Sequence, residues 1–159
     1  MPVDPSNVGR EWGPYRYEAG LEKMREFAVA VAGGVPSSAF GGEPPAGLNP
    51  LLWNEEAAKS GPHGAVVAFP TFPAAFAMRP FTEAVTDPKL GIDLVKLVHG
   101  EQEFEFLEVI RAGDVLTTSG KLTKIFEKAG MDFVVMQTET TNQHGRVALR
   151  ATWTAVIRR

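Results

Sequence analysis

The sequence predicts an α+β fold in which an antiparallel sheet curls around a single buried helix, and three observations predict it. Apolar residues recur at helical spacing early in the chain. One central segment is apolar around nearly its whole circumference. From about residue 94 the hydrophobic period drops to that of a strand. At 159 residues the chain reads as one domain, 1–159, long enough to bury a sizeable core.

In chain order, residues 1–17 read as an extended, Pro- and Gly-rich arm anchored by Trp12, Tyr15 and Tyr17. Residues 18–32 read as an amphipathic helix. Leu21, Met24, Ala28 and Val31 form its apolar stripe, Phe27 widens it, and Glu18, Glu22, Lys23, Arg25 and Glu26 lie largely opposite. Gly33-Gly34 ends the helix, because glycine accepts the left-handed conformation of a cap. Residues 33–50 form a long Gly/Pro-rich loop, read either as a surface excursion or as a loop over a site. A short helix starts at Asn54, an N-cap followed by Glu55 and Glu56, and stops by Gly61.

Residues 69–85 read as the buried helix. Thr71 is placed to cap it, Pro73 is tolerated in its first turn, and Pro80 should kink it or end its first section. Phe72, Ala74, Ala75, Phe76, Ala77, Met78 and Phe81 leave no polar face over the first turns, and a helix apolar on all sides is buried on all sides. Beyond it, Glu101, Glu103 and Glu105 alternate with Gln102, Phe104 and Phe106 in a half-exposed strand. Strands at 115–128, 131–141 and 146–158 follow, separated by turns at 129–130 and 142–145, with a bulge or bend expected at Gly120. Val147, Leu149, Ala151, Trp153, Ala155 and Ile157 line one face of the last.

Composition excludes several functions. A net charge of −3 with mixed signs gives no footprint for nucleic acid. Cysteine is absent, which removes disulfides, thiolate nucleophiles and cysteine-ligated zinc. No apolar run approaches the roughly 20 residues of a membrane span. The start, Met1-Pro2-Val3-Asp4-Pro5, has no basic or apolar leader segment, so no membrane partner is expected and the cytoplasm is the expected compartment. Phosphate-binding glycine motifs, a GxSxG elbow and an HExxH pair are missing. His63, His99 and His144 are too scattered for metal-ligand spacing, so neither a metal nor another cofactor is expected. His144 sits in a polar turn. His63 and His99 are candidates for acid–base work, each with a structural role as its alternative.

Three stretches, 17–32, 49–71 and 98–114 with the strands beyond, together resemble the MaoC-like (R)-hydratase and dehydratase family. The branch is that of fatty-acid-synthase-type dehydratase domains and mycobacterial (3R)-hydroxyacyl-ACP dehydratase A subunits. The resemblance implies a hot-dog fold, a dimer, and addition or removal of water across the 2,3-bond of an acyl thioester carried on coenzyme A or acyl carrier protein. That chemistry needs a base, an acid and donors for the oxygen that becomes enolate-like. The family motif Gly-Asp-x-Asn-Pro-Leu-His falls on residues 46–52. Asn49, Pro50 and Leu51 match, Ala58 fits the small residue that follows, and the Asp and His positions hold Gly47 and Leu52, which transfer no protons.

The resemblance therefore implies a dyad-lacking subunit that works with a catalytic hot-dog partner and contributes part of the acyl tunnel. Its substrate-binding candidates are Asn49, Phe69, Thr71, Phe72, Phe76 and Met78, with the N–H groups around Thr71 and Phe72 as oxyanion donors. The alternatives are a self-sufficient hydratase using His63 or His99 with Glu101 or a nearby carboxylate, and a non-enzymatic acyl-thioester binder.

Overall fold

The computed structural model describes residues 2–34 and 44–159, so the middle of the expected 33–50 loop lies outside the described residues. Among them, the chain runs β1 (Glu11–Glu18), α1 (Leu21–Val31), α2 (Glu55–Lys59), α3 (Arg79–Thr86), β2 (Leu97–Phe106), β3 (Val115–Lys128), β4 (Met131–Thr141) and β5 (Val147–Arg158). Short 3-10 turns stand at Pro5–Asn7, Pro50–Leu52 and Phe72–Ala75. The five strands form one antiparallel sheet in the order β1-β3-β4-β5-β2. This is the α+β hot-dog arrangement, with the helices on the concave face.

Several expectations are corrected. The N-terminal arm supplies edge strand β1, whose Tyr17 and Glu18 pair with Leu116 and Val115. The Gly and Pro of the expected extended arm sit at a break in register between Trp12 and Tyr15, which an edge strand tolerates. Because β1 claims Glu18, α1 begins only at Leu21, capped by the backbone at Gly20.

The segment 69–85 is in two sections, a division that Pro80 predicts but that falls just ahead of it. It splits into the Phe72–Ala75 turn and α3, with Pro80 in the first turn of α3, where its missing N–H costs nothing. Nor is it apolar all round: Arg79, Thr82 and Thr86 are exposed and Glu83 half-exposed, while Pro80, Phe81, Ala84 and Val85 face the sheet. Thr71, expected as a cap, makes no side-chain cap bond.

Gly120 pairs with Trp12 and Thr138 and borders the register break of β1 between Trp12 and Tyr15, while the bulge of β3 itself falls between Leu122 and Lys124. What Gly120 provides is proximity, since a Cβ there would lie 2.5 Å from Pro80 Cβ and 2.9 Å from Met136 Sδ. Helix α3 thus seats on β3 at the one position of that strand without a side chain.

The core lies between α3 and the concave face, centred on Trp153, with Met24, Phe72, Leu116, Leu122, Met136 and Leu149 fully buried. Its polar atoms are paired: Trp153 Nε1 donates to Thr138 Oγ1 at 3.0 Å, and the hydroxyls of Thr118 and Thr140 meet at 2.7 Å. At the far end of the sheet Asp132 is buried. Its carboxylate accepts from Val3 N–H at 3.2 Å and from Arg159 at 2.6 Å, joining both chain ends to β4.

Candidate functional site

The residues 46–52 form a tight, locally capped turn. Asn49 closes it, its side-chain oxygen accepting the Leu51 N–H at 3.0 Å. The Leu51 carbonyl then accepts Val67 N–H at 3.0 Å, Ala68 N–H donates to the Ile110 carbonyl at 2.9 Å, and Val67 bridges Arg111. The turn is thereby fixed to the segment that enters the buried turn and to the chain leaving β2. Asn54 caps α2 through Ala57 N–H at 2.9 Å, and Ala58 is fully buried beneath it.

Gly47 has φ +87°, with nothing within 4 Å of where a Cβ would stand. Space is therefore not the obstacle to a carboxylate there. The obstacle is a backbone conformation that L side chains rarely adopt. Leu52 is a half-buried side chain of the Asn49-capped turn.

Trp53, immediately after the turn, was not singled out by sequence reasoning. Its indole N–H is buried and meets no acceptor among the described residues. The signal was available, because a tryptophan beside a motif turn carries a donor that burial obliges the fold to satisfy.

The replacement candidates are not brought together as a pair. His63 lies in the wall of a surface groove of about 410 Å3, whose apolar lining includes Val67, Ala68, Phe106 and Ile110. Its backbone carbonyl accepts from Arg111 Nε at 3.1 Å, which holds the segment in place. Glu108 lines the same groove but is bound into the β4–β5 turn by Asn142 at 2.9 Å and Arg146 at 3.0 Å. His99 packs on the concave side near the rings of Phe81 and Trp153, at centroid distances of 5.6 and 5.9 Å. Its Nε2 stands 3.1 Å from the backbone carbonyl of Glu101, and the bulge between His99 and Glu101 leaves the Glu101 carboxylate on the convex face, opposite Thr154 in the register. His99 and Glu101 form no side-chain dyad.

The tunnel candidates divide. Phe72 and Phe76 are buried in an aromatic cluster, Phe76 stacking on Tyr17 at 5.2 Å and Phe72 meeting Phe27 edge-on at 5.4 Å. Burial raises the Tyr17 pKa above its ordinary value. Phe69 and Met78 are only partly buried against this cluster. Of the two candidate oxyanion donors, the Phe72 N–H is engaged by the Phe69 carbonyl at 2.8 Å, leaving the N–H of exposed Thr71, which has no acceptor among the described residues. Also among the described residues, no three His, Asp or Glu side chains come together as a metal site, and no helix is long and apolar enough to cross a membrane.

Comparison with known proteins agrees with the fold. The model of the "FAS1-like, dehydratase domain region" family matches residues 6–151. A UPF0336 protein of Saccharopolyspora erythraea is 38% identical over 159 residues, covering 99% of this chain and 93% of its own. Among solved structures, a chain of the HadBC (3R-hydroxyacyl-ACP dehydratase) complex of Mycobacterium tuberculosis superposes with TM-score 0.75 at 26% identity, covering 98% of this chain and 99% of that one. A MaoC-like dehydratase superposes with TM-score 0.76 at 27% identity, covering 96% of this chain but 42% of that longer one.

Proposed function

From the premise that this chain belongs to the FAS1-like dehydratase-region family, with the MaoC-like hot-dog fold, we propose that it is the dyad-lacking subunit of a (3R)-hydroxyacyl-thioester dehydratase or enoyl-thioester hydratase. It pairs with a hot-dog partner that carries the acid–base groups. The observation that carries this reading is the turn at 46–52. Its framework of Asn49, Pro50 and Leu51 is intact and anchored, while the two proton-transfer positions hold a left-handed Gly47 and an aliphatic Leu52.

In this division of labour the partner removes the proton beside the thioester carbonyl and protonates the departing hydroxyl. This chain contributes walls and donors. Among the described residues nothing accepts from the Thr71 N–H, which can meet an oxygen that gains negative charge, or from the buried indole N–H of Trp53, a second donor close to the motif. Phe69 and Met78 are the lining candidates that need no opening of the core, and Phe72 and Phe76 serve only if the aromatic cluster parts. The thioester, on coenzyme A or acyl carrier protein, is the substrate.

A second reading keeps the chemistry within this chain. It is favoured by one observation, the placement of His63 and Glu108 in the same largely apolar groove. Incubation of the purified chain alone with crotonyl-CoA, following the conjugated-thioester absorbance, separates the two. The proposal expects no loss of signal above the uncatalysed rate. Hydration by the chain alone, abolished by His63→Ala, would overturn it in favour of the second reading. Saturable binding of acyl-CoA with no turnover in any pairing assigns a non-enzymatic binder.

A further inference from the structure

We propose that the convex face of the sheet, at the end away from the motif turn, docks an acidic amphipathic helix of a partner protein. The inference does not depend on the catalytic reading. It rests on the register of four neighbouring strands, which aligns Phe126, Phe133, Val156 and Val98 in one row across β3, β4, β5 and β2. The neighbours on each strand, Ile125, Val134, Ile157 and Leu97, point into the core, so alternation turns all four side chains outward. Phe126 and Phe133 stack at 4.9 Å, almost parallel, and Phe126 and Val98 are each 42% exposed. Gly100 lets the row lie flat, since a Cβ there would stand 2.7 Å from Val156 Cγ2.

The solvent face of a sheet is ordinarily polar. Here an apolar row is bordered by cations. One flanking row, continued by the Arg158 N–H to Lys96 carbonyl bond of 3.1 Å, holds Lys128, Met131, Arg158 and Lys96. The other holds Lys124, Val135, Thr154 and Glu101. Among the described residues Lys96, Lys124, Lys128 and Arg158 make no ion pair, although most other bases of the sheet do. Glu101 is the lone carboxylate of the three rows.

This pattern selects among occupants. A second copy laid face to face would set cations against cations, with one Glu101 per chain to offset four of them. A lipid-binding face sinks some 5–10 Å into the headgroup and acyl boundary, whereas Phe133, Val156 and Met131 are half-buried among their neighbours on the sheet. The dimensions suit a helix. Four strands about 4.8 Å apart make a row of roughly 14 Å, the length of some ten helical residues, and a helix about 10 Å wide covers the row and reaches both flanks. Apolar residues at three- and four-residue spacing would meet the row, and carboxylates beside them would meet the cations.

The test uses the full chain and a blocked synthetic helical peptide with leucines at three- and four-residue spacing and glutamates elsewhere. Backbone amide NMR shifts are followed during titration. Saturable shifts are expected at the distal ends of β3 and β5 and the starts of β4 and β2. Affinity should fall with added salt, and at least tenfold in a Lys96→Glu/Lys128→Glu/Arg158→Glu variant and in Phe126→Ser, each checked for native circular dichroism. A matching peptide with lysines for glutamates should not bind. Absence of saturable shifts at this face, or shifts indifferent to the charge reversal, would overturn the proposal. So would cation-dependent sedimentation with phosphatidylglycerol vesicles without peptide binding, which assigns a lipid surface, or a change of oligomeric state in the charge-reversal variant, which assigns a second copy.

Discussion

Replacing Gly120 by alanine probes the contact on which the arrangement of sheet and helix depends. The added methyl would lie 2.5 Å from Pro80 Cβ, 2.9 Å from Met136 Sδ and 3.2 Å from Thr138 Cγ2. Carbon atoms rest at roughly 3.5–4.0 Å, so the Pro80 contact must open by more than about 1 Å. Met136 can give way by rotation of its unbranched side chain. Pro80 cannot, because its ring is fixed in the first turn of α3, and relief requires the helix to lift off β3. Overpacking of this kind costs about 1–3 kcal/mol, and the reduced freedom of the unfolded chain returns about 0.4–1 kcal/mol. The net loss is about 1–2 kcal/mol. For a chain of this size each kcal/mol moves Tm by about 2–4 °C, so calorimetry should record a fall of about 2–8 °C. Ser119→Ala, on the exposed side of the same strand, should change little. A Gly120→Ala protein as stable as the parent would refute the claim that α3 is seated through this glycine.

Three further outcomes are expected. Asp132 titrates below its ordinary range, chiefly through its bond from Arg159. A carboxylate with a depressed folded pKa contributes stability that is complete above about pH 4, its unfolded value, and is lost as pH falls through the folded value. Urea midpoints measured downward from neutral pH should therefore fall on the acid side in the parent, and Asp132→Asn should lower the neutral midpoint and flatten that acid limb; parallel curves would contradict the role given to Asp132. Trp53→Phe deletes a buried donor that has no acceptor among the described residues. It should leave stability unchanged or slightly raised while weakening acyl-thioester binding several-fold, measured by calorimetry with a non-turnover acyl-CoA, and a loss of more than about 1 kcal/mol in stability would show that the indole is paired after all. Gly47→Ala should cost about 1–2 kcal/mol through backbone conformation alone, since its side-chain space is open; an unchanged urea midpoint would show that the left-handed turn is not maintained in solution.

Much of the fold was legible because the strands carry a clean two-residue alternation. From Val115 to Arg158, buried Leu116, Met136, Leu149 and Trp153 fall on the inward side of strands whose other side is mostly polar, and the observed strands follow that pattern almost to the residue. Strand β1 was hidden because an edge strand needs little hydrophobic periodicity and tolerates Gly13-Pro14 at a register break. The segment 69–85 misled because its first turns are apolar on every side. The rotation that exposes Arg79 and Thr82 depends on Pro80 starting a new helix, and this is a tertiary outcome set by the fit of Pro80 on Gly120. At the site, the loss of both proton-transfer groups was readable from Gly47 and Leu52. The left-handed φ of Gly47, the unpaired Trp53 indole and the engagement of the Phe72 N–H are matters of backbone geometry and burial that composition does not encode.

The division of labour is tested most directly by mixing. This chain is titrated into a fixed amount of a neighbouring hot-dog gene product that retains both Asp and His of the motif, and the rate of crotonyl-CoA hydration is read against the ratio. Turnover should be low for either chain alone, rise with added chain, and level off at one to one. Replacing the partner's motif His should abolish it, whereas His63→Ala in this chain should leave it intact. A rate that is already maximal without this chain, or that vanishes with His63→Ala, would contradict it.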